Sequence, residues 1–316
     1  MSLVRRVPVA MSALALGLAA LGNLLLPYSQ ELRAVCGLMA AAIVLLLVAR
    51  VALDISSVRT ELRNPAALAV LPAFFMAVML LATYAKPYAP GPARYVWLVA
   101  LALQLLVVAV FVTRFVVPFD LAKIMPAWFL VFVGFVVASV TSPAFGMQAI
   151  GRPLLYLGMF GYAAVLPAVA YRAIKGPALP EPALPTVAIF AAPPSLLLVG
   201  YLAVADAKVA VVVYALLALA AVSLLYVLAS LPKLLRLRFC PACAALTFPF
   251  VISAIALKQS AAFLSTTGSG SFIPGLAVTL MDVFAAAMVV YAMVRYAAFL
   301  MAPQQQVEPS AQSVAL

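Results

Sequence analysis

The chain has 316 residues, of which 68% are hydrophobic and 9% are charged, and it carries a net charge of +11 with a mean hydropathy of +1.23. A soluble domain carries about a quarter charged residues, so this composition excludes a soluble fold. The apolar runs are about 20 residues long, which suits a membrane-spanning helix, whereas a membrane barrel needs shorter segments that alternate apolar and polar residues. The sequence therefore predicts an all-α membrane protein.

Ten apolar segments follow one another along the chain, divided by charged residues and by Pro and Gly. Numbered in chain order as segments 1 to 10, they are 7–26, 33–53, 65–84, 94–117, 122–142, 149–172, 185–204, 208–230, 239–259 and 273–300. Segments 4 and 5 are the hardest to separate, because the only break between them is Arg114, Pro118, Asp120 and Lys123. We expect ten transmembrane helices in one domain, residues 1–302, followed by a polar, disordered tail, residues 303–316.

The Lys and Arg residues predict the orientation of the chain. The first apolar run follows Arg5 and Arg6 as in a signal peptide, but nine further segments follow it, so we interpret it as a retained span. With both termini in the cytoplasm, 13 of the 19 Lys and Arg residues lie on the cytoplasmic side. The six on the opposite side are Arg33, Lys86, Arg94, Arg152, Lys208 and Lys258. This excess favours cytoplasmic termini in the inner (plasma) membrane, and it accounts for the net charge without nucleic-acid binding.

Internal prolines fall mostly in odd-numbered segments. Segments 3, 5, 7 and 9 contain Pro72, Pro126, Pro193 and Pro249, while Pro167 lies near the end of segment 6. Proline removes an intrahelical hydrogen bond and kinks a helix. The simplest arrangement is five helical hairpins, with kinked odd helices in an inner ring around a central pore and straighter even helices outside. The alternative is a chance distribution, since membrane helices tolerate proline.

The residue types exclude most catalytic chemistry. The chain has no histidine, which excludes imidazole catalysis and His-ligated metals. Cys240 and Cys243 form a Cys-Pro-Ala-Cys motif, but the motif opens an apolar helix, so we interpret both residues, like Cys36, as structural. A Gly-rich phosphate loop is also missing from the sequence. We therefore expect no enzyme, no metal and no cofactor, which leaves a passive pathway: a channel or a weakly coupled carrier.

Two charged residues near membrane depth stand out. Asp282 in segment 10 is a functional candidate, because intramembrane carboxylates are costly. Its even-numbered segment favours a structural role, and coupling to protons or cations is the alternative. Lys258, near the end of segment 9, either anchors the helix at the interface or concentrates anions at a pore mouth.

Segment 9 also contains Leu246-Thr247-Phe248-Pro249-Phe250. A proline after Phe248 loosens the helix and can swing an aromatic ring into a lumen, where it gates by occlusion or dewetting. The competing interpretation is simple packing, as for most of the 18 Phe.

Four stretches of the chain resemble the tellurite-resistance/dicarboxylate transporter family. This family includes bacterial tellurite-resistance proteins, fungal malate and sulfite transporters, and the slow-type anion channels of plant guard cells. The stretches are Leu16-Gly17-Leu18-Ala19-Ala20-Leu21, Pro72 in the apolar run that follows Asn64-Pro65, Pro185-Thr186-Val187-Ala188-Ile189-Phe190-Ala191-Ala192-Pro193, and Thr247-Phe248-Pro249. With the matching length and loops, the resemblance covers nearly the whole chain.

The resemblance implies five helical hairpins about a pore, in a homotrimer whose subunits each have their own pore. It implies that Phe248 is the gate and that the kinked helices line the pore, through Pro72, Pro126, Pro193, Thr247 and Pro249. Two features depart from the family pattern. Segment 1 has Ala15 near the expected mid-helix proline, and segment 9 has Ala244-Ala245-Leu246 where aromatic residues often precede the motif.

We therefore expect a protein of the lipid bilayer that passes small inorganic or organic anions. Hydroxyl groups in the pore could donate hydrogen bonds to a dehydrating anion, which favours large, weakly hydrated monovalent ions. The candidates are Ser12, Ser139, Thr186, Ser195 and Thr247. The alternative is a proton-coupled exporter of C4-dicarboxylates such as malate, or of sulfite or tellurite, that uses Asp282. A receptor or assembly protein without transport is a third hypothesis.

Overall fold

The structure is a computed structural model that describes residues 2–118, 120, 124–176, 178–266 and 273–302. Within these ranges the regular elements are all helices, and none is a strand. The predicted all-α class is therefore confirmed. The predicted disordered tail, residues 303–316, lies outside the described residues.

In the described part of the chain, eight helices are long and apolar enough to cross a membrane. They correspond to segments 2, 3, 4, 6, 7, 8, 9 and 10 and span Gln30–Leu53, Pro65–Ala85, Pro90–Val116, Gln148–Lys175, Glu181–Val204, Ala210–Leu235, Pro241–Thr266 and Gly275–Met301. Segments 1 and 5 contain the shorter apolar helices Met11–Leu25 and Gly134–Phe145. At about 1.5 Å per residue, a helix of 15 residues extends about 22 Å, less than the hydrocarbon core of about 30 Å. The ten predicted segments thus consist of eight full-length helices and two short ones.

Three odd-numbered segments are interrupted, and each resumes as an α-helix with proline in its first two positions. Segment 3 consists of Pro65–Val70 and Pro72–Ala85, segment 7 of the 3-10 helix Glu181–Ala191 and the α-helix Ala192–Val204, and segment 9 of the 3-10 helix Pro241–Leu246 and the α-helix Phe248–Thr266. The first turn of a helix tolerates proline, because the N–H groups there have no intrahelical partner. Pro72, Pro193 and Pro249 therefore begin new helical stretches rather than bend continuous ones.

Segment 5 is interrupted at a different place from the one predicted. It consists of the α-helices Trp128–Phe132 and Val137–Thr141 and the 3-10 helices Gly134–Val136 and Ser142–Phe145. The backbone departs from helical geometry at Val133, with φ −125°. Pro126 lies in the turn before Trp128, whose N–H bonds to the carbonyl oxygen of Met125. The kink expected at Pro126 is therefore replaced by a break at Val133.

The even-numbered helices are more regular. Segment 4 is the α-helix Pro90–Phe111, which continues into one π-helical turn, Val112–Val116. Segment 6 accommodates Pro167 inside the unbroken helix Gln148–Lys175. Proline alone thus does not decide which segments break.

Burial alternates along the chain. In the most apolar part of segments 7 and 9, 83% and 72% of the residues are buried, against 17% in segment 8. Segment 1 is buried along almost its whole length. Large apolar side chains of the even segments, such as Leu38, Val99, Phe160, Leu225 and Val283, are exposed at the surface. The even helices therefore cover the odd ones.

Short helices lie at one end of the bundle. Ser2–Arg6 precedes segment 1, and Ile55–Glu61 connects segments 2 and 3. Asp54 caps the second of these helices by accepting a hydrogen bond from the N–H of Ser57, at 3.2 Å. The hydrogen bonds from Ser57 and from the Ser56 hydroxyl hold the pKa of the Asp54 carboxyl below its usual range. We call the end of the bundle that holds Ile55–Glu61 the first face, and the other end the opposite face.

Candidate functional site

A cavity of about 610 Å³, which we call the main cavity, lies at the first face. The beginning of each odd-numbered segment contributes to its wall. One representative from each of segments 1, 3, 5, 7 and 9 is Ala13, Val70, Leu130, Ile189 and Ala245. The starts of the five buried segments therefore meet around one space.

A second, smaller cavity of about 120 Å³ lies nearer the opposite face. The same five segments line it, through residues that include Ala20, Leu80, Val140, Leu196 and Ile252. In segments 1 and 9 the residues of the two cavities are seven positions apart, Ala13 and Ala20 and also Ala245 and Ile252. Ala13 and Ala20 share one α-helix, where residues seven apart lie on the same side, so one stripe of segment 1 faces both cavities. In segment 9 the break at Thr247 separates Ala245 from Ile252, so each half of this segment faces one of the two cavities.

Phe248 lines both cavities. Its side chain is only 3% exposed, and it also borders a void of about 10 Å³ together with Met76, Phe129 and Pro193. The ring therefore lies at the level where the main cavity ends and the smaller cavity begins.

The break in segment 9 positions Phe248. Thr247 adopts φ −111° and ψ −80° between the two helical halves, so Phe248 begins the new helix. The Thr247 hydroxyl lies 2.7 Å from the carbonyl oxygen of Ala244 and 3.0 Å from that of Ala13, and its one proton can serve either acceptor. Segment 1 approaches closely here because Gly17 has no side chain: a Cβ atom at Gly17 would lie 2.5 Å from the Cβ of Thr247. The motif of segment 1 and the motif of segment 9 are therefore in direct contact.

The family model of the voltage-dependent anion channels, SLAC1, matches residues 6–301. The chain belongs to this family. It is the family of slow-type anion channel homologues that the motifs of segments 1, 3, 7 and 9 resemble, so the expected membership is confirmed. No individually curated protein matches the sequence.

Members of the voltage-dependent anion channel family are channels or transporters rather than enzymes. The chain accordingly has the fold of a multi-pass membrane anion channel or transporter. Small anions and a membrane are the partners that this family implies.

Most of the hydroxyl groups predicted to contact the anion bond to the protein backbone instead. Thr186 lines the main cavity, and its hydroxyl donates to the carbonyl oxygen of Ala183 at 2.6 Å. Ser139 donates to Gly151 in segment 6 at 2.7 Å, and Ser195 donates to Ala191 at 3.0 Å. These side chains satisfy carbonyl groups around the helix interruptions, which explains why buried segments contain them.

Two other buried serines are Ser12, which was predicted as a polar contact of the anion, and Ser253, which was not. Ser12 lines a separate apolar groove beside Leu47 and Phe74, and its hydroxyl has no hydrogen-bond partner within the described part of the chain. Ser253, which sequence reasoning missed, donates to Pro249 at 2.8 Å, and its hydroxyl lies 3.1 Å from that of Ser195. Segments 7 and 9 of this anion channel family member are thus joined by a polar contact at their prolines.

The prolines predicted to lie along the pore occupy different surroundings. Pro249 lines the main cavity, and Pro193 borders the small void beside Phe248. Pro72 is buried at the interruption of segment 3, and Pro126 precedes the helix of segment 5. The proline positions of segments 7 and 9 are thus the ones beside Phe248.

A carboxylate lies on the wall of the main cavity. Among the described residues that line this cavity, Glu61 is the charged one. Arg50, which is buried, contacts it at 2.7 Å, and the N–H of Val9 donates to its Oε1 at 3.1 Å. The guanidinium of Arg50 also donates to the carbonyl oxygen of Val7 at 2.7 Å. The ion pair offsets a negative charge that would otherwise repel anions at this entrance.

Asp282 and Lys258 form an ion pair towards the opposite face. Lys258 Nζ and the hydroxyl of Tyr28 each donate to Asp282 Oδ2, both at 2.9 Å. Lys258 Nζ also lies 4.3 Å from the centre of the Tyr28 ring. Asp282 is 4% exposed, and its Oδ1 has no partner among the described residues. Asp282 and Lys258, two separate candidates in the sequence, therefore join segment 10 to segment 9. Tyr28 joins the residues that follow segment 1 to the same pair.

Gln104 was not predicted as a site residue. It lies in segment 4, is completely buried, and neither atom of its amide has a hydrogen-bond partner among the described residues. Its Nε2 would lie 3.1 Å from a Cβ atom at Gly134, at the interruption of segment 5. A single amide within the run Leu103-Gln104-Leu105 is the signal that could have identified it.

Proposed function

We propose that the chain is a passive pathway for small anions that runs through the main cavity and the smaller cavity and is closed by Phe248. One observation carries the proposal: the same five segments line both cavities, and the ring of Phe248 borders each of them. Rotation of this ring away from its present position would join the two spaces. Phe248 is thus the gate in this proposal.

The proposed membrane arrangement has ten crossings with both termini in the cytoplasm of a plasma-membrane protein. The excess of Lys and Arg at the first face supports this orientation. The two short helices of segments 1 and 5 cross only part of the bilayer, and their surroundings of buried protein make this possible. Residues 1–302 form one channel domain, and the family resemblance supports a homotrimer with one pore in each subunit.

The proposed substrates are weakly hydrated monovalent anions. The walls of both cavities are mostly Ala, Val, Leu and Ile, and the hydroxyls nearby bond to backbone carbonyls. Such a wall has few hydrogen-bond donors that could replace the water molecules around an anion. Anions with a low dehydration energy are therefore expected to have the highest permeability. Reversal potentials in chloride, nitrate, malate and sulfite measure this order. Nitrate is expected to be more permeant than chloride, and a preference for malate or sulfite contradicts the proposal.

The test of the gate is the conductance of Phe248→Ala in planar bilayers with purified protein. Phe250→Ala is the matched control, because Phe250 is equally buried but packs against Phe284, with ring centres 5.1 Å apart. We expect a large rise in anion conductance for Phe248→Ala and none for Phe250→Ala. An unchanged conductance in Phe248→Ala, with the folded protein verified by its elution profile, removes the gate assignment.

The proton-coupled exporter predicts a different result. A pH gradient should then drive uphill uptake of malate or sulfite into vesicles, and Asp282→Asn should abolish it. The ion pair between Asp282 and Lys258 supports a structural role for the carboxylate instead. We therefore expect flux that follows the anion gradient alone, with no response to an imposed pH gradient.

A further inference from the structure

Two thiols lie in contact at the start of segment 9. Cys240 and Cys243 flank Pro241 and Ala242, and their sulfur atoms are 3.7 Å apart. The N–H of Cys243 donates to the carbonyl oxygen of Cys240 at 3.0 Å, which closes the turn that brings the side chains together. Both thiols are free, as is Cys36 in segment 2.

The turn that holds the thiols borders the main cavity. Pro241, Ala242, Ala244 and Ala245 all line this cavity, so the backbone between and after the two cysteines faces the space that opens at the first face. Cys240 is 9% exposed and Cys243 is 2% exposed. Neither cysteine is among the described residues that line the cavity, but Cys240 is the more exposed of the two and is therefore the one that a small solute reaches first.

The other side of the turn is fixed to segment 10. The hydroxyl of Tyr296 donates to the carbonyl oxygen of Pro241 at 2.5 Å, and Arg295 donates to that of Leu237 at 2.9 Å. The ring of Phe239 stacks on Phe299 with centres 4.7 Å apart. The thiols are thus held at a defined separation by elements outside the turn, and their proximity is a property of the fold.

We propose that Cys240 and Cys243 form a reversible dithiol–disulfide couple that responds to small dialkyl disulfides of the glutathione type. The thiolate of Cys240 attacks one sulfur of the oxidant, which releases one thiol and leaves a mixed disulfide on Cys240. The thiolate of Cys243 then attacks the Cys240 sulfur and displaces the second thiol. The pair loses two electrons and two protons, and the oxidant is reduced to two thiols.

Geometry and spacing favour this chemistry over inert packing. A disulfide requires the sulfurs to be about 2.05 Å apart, so they must approach by roughly 1.7 Å from their present 3.7 Å. Cys-X-X-Cys pairs in redox proteins have potentials that bracket the glutathione poise of cells, so such a pair can change state there. Isolated buried cysteines behave as small apolar residues instead. Cys36 has no second thiol within its own segment, so it serves as the isolated buried cysteine with which the pair is compared.

The test uses the full chain in detergent with glutathione buffers of increasing oxidised fraction. The protein is quenched in acid, denatured, labelled with a maleimide and weighed by mass spectrometry. In the wild-type chain and in Cys36→Ser we expect the two thiols of the pair to become unlabelled together. The oxidised chain is then lighter than the labelled reduced chain by two maleimide groups and two hydrogen atoms. Cys240→Ser and Cys243→Ser should show only a mixed disulfide, with the added mass of one glutathione.

A second measurement tests the proximity of the thiols without oxidation. A trivalent arsenical, phenylarsine oxide, should bind one equivalent per wild-type chain and per Cys36→Ser chain, and should not be retained by either Cys240→Ser or Cys243→Ser. The inference is overturned if the wild-type chain keeps all three thiols reactive in fully oxidised glutathione, or if the disulfide includes Cys36. Neither measurement depends on anion conduction, so the proposal of a dithiol–disulfide couple is tested independently of the proposed function.

Discussion

Replacing Gly17 with alanine is predicted to force segments 1 and 9 apart beside Phe248. The added Cβ atom would lie 2.5 Å from the Cβ of Thr247 and 3.2 Å from the backbone nitrogen of Phe248. Carbon atoms in ordinary contact are about 3.5–4.0 Å apart, so the two segments must separate by about 1 Å or more. The nearest atom, the Thr247 hydroxyl oxygen, can move with its side chain, but the Thr247 Cβ and the Phe248 nitrogen lie on or next to the backbone of segment 9 and cannot.

The magnitude follows from two opposing effects. Overpacking of a close-packed interior costs about 1–3 kcal/mol, and the cost here is expected near the upper limit because backbone must move. Alanine in a helix interior gains about 0.5–1 kcal/mol over glycine. The net loss of unfolding free energy for Gly17→Ala is therefore about 2 kcal/mol, which corresponds to a decrease in Tm of about 3 °C for a chain of 316 residues.

Thermal unfolding followed by tryptophan fluorescence measures this change, since Trp97 and Trp128 are both buried and become exposed on unfolding. Gly275→Ala is the matched control: it also adds one methyl group to a helix, but among the described residues no packed atom lies within 4 Å of the new position. We expect the control to unfold at the wild-type temperature or slightly above it. If Gly17→Ala is as stable as Gly275→Ala, the close contact between segments 1 and 9 is refuted.

Three further substitutions test other parts of the site. Asp282→Asn leaves Lys258 without its partner and should reduce stability by about 2–3 kcal/mol, less than the ~3–5 kcal/mol of a fully buried pair, because Lys258 is partly exposed; an unchanged Tm contradicts a structural role. Gln104→Met replaces an unpartnered buried amide with an apolar side chain and should raise Tm, since such groups cost about 1–3 kcal/mol; a lower Tm means that the amide has a partner after all. Glu61→Gln, made in the Phe248→Ala variant, leaves the positive charge of Arg50 uncompensated beside the main cavity and should increase anion conductance at 0.1 M salt. The relative increase should shrink at 1 M salt, where the screening length falls from about 10 Å to about 3 Å, and a relative increase that is equal at the two salt concentrations rejects this electrostatic effect.

Several helix boundaries could be predicted because the signals are local. Segment 3 begins at Pro65 as predicted, since the Asn64 side chain accepts from the N–H of Ala66 at 2.8 Å and caps the helix. The charge of Lys258 indicates a helix end, so the sequence predicts that segment 9 ends at residue 259, whereas the helix extends to Thr266. The helix continues to Thr266 because Asp282, far away in the sequence, neutralises that lysine.

Other features depend on packing between distant residues. The break at Val133 lies beside Gly134, where Met76 and Gln104 approach so closely that a side chain would not fit. No local signal distinguishes this position from Pro126. For the site, the motif in segment 9 brought attention to Phe248, but the bonding of Ser139 and Ser195 to backbone carbonyls depends on neighbours that only the fold supplies.

The 3-10 halves of segments 7 and 9, which line the main cavity, are longer than the same residues would be as α-helix. Glu181–Ala191 has 11 residues, which extend about 22 Å at the 3-10 rise of about 2.0 Å but only about 16 Å at the α-helical rise of about 1.5 Å. Pro241–Leu246, packed beside it, would shorten by about 3 Å in the same conversion. Conversion of these two stretches from 3-10 helix to α-helix would displace the α-helices that follow them, while those α-helices stay folded. The wall of the main cavity thus contains two neighbouring stretches of adjustable length, each followed by an α-helix with proline in its first two positions.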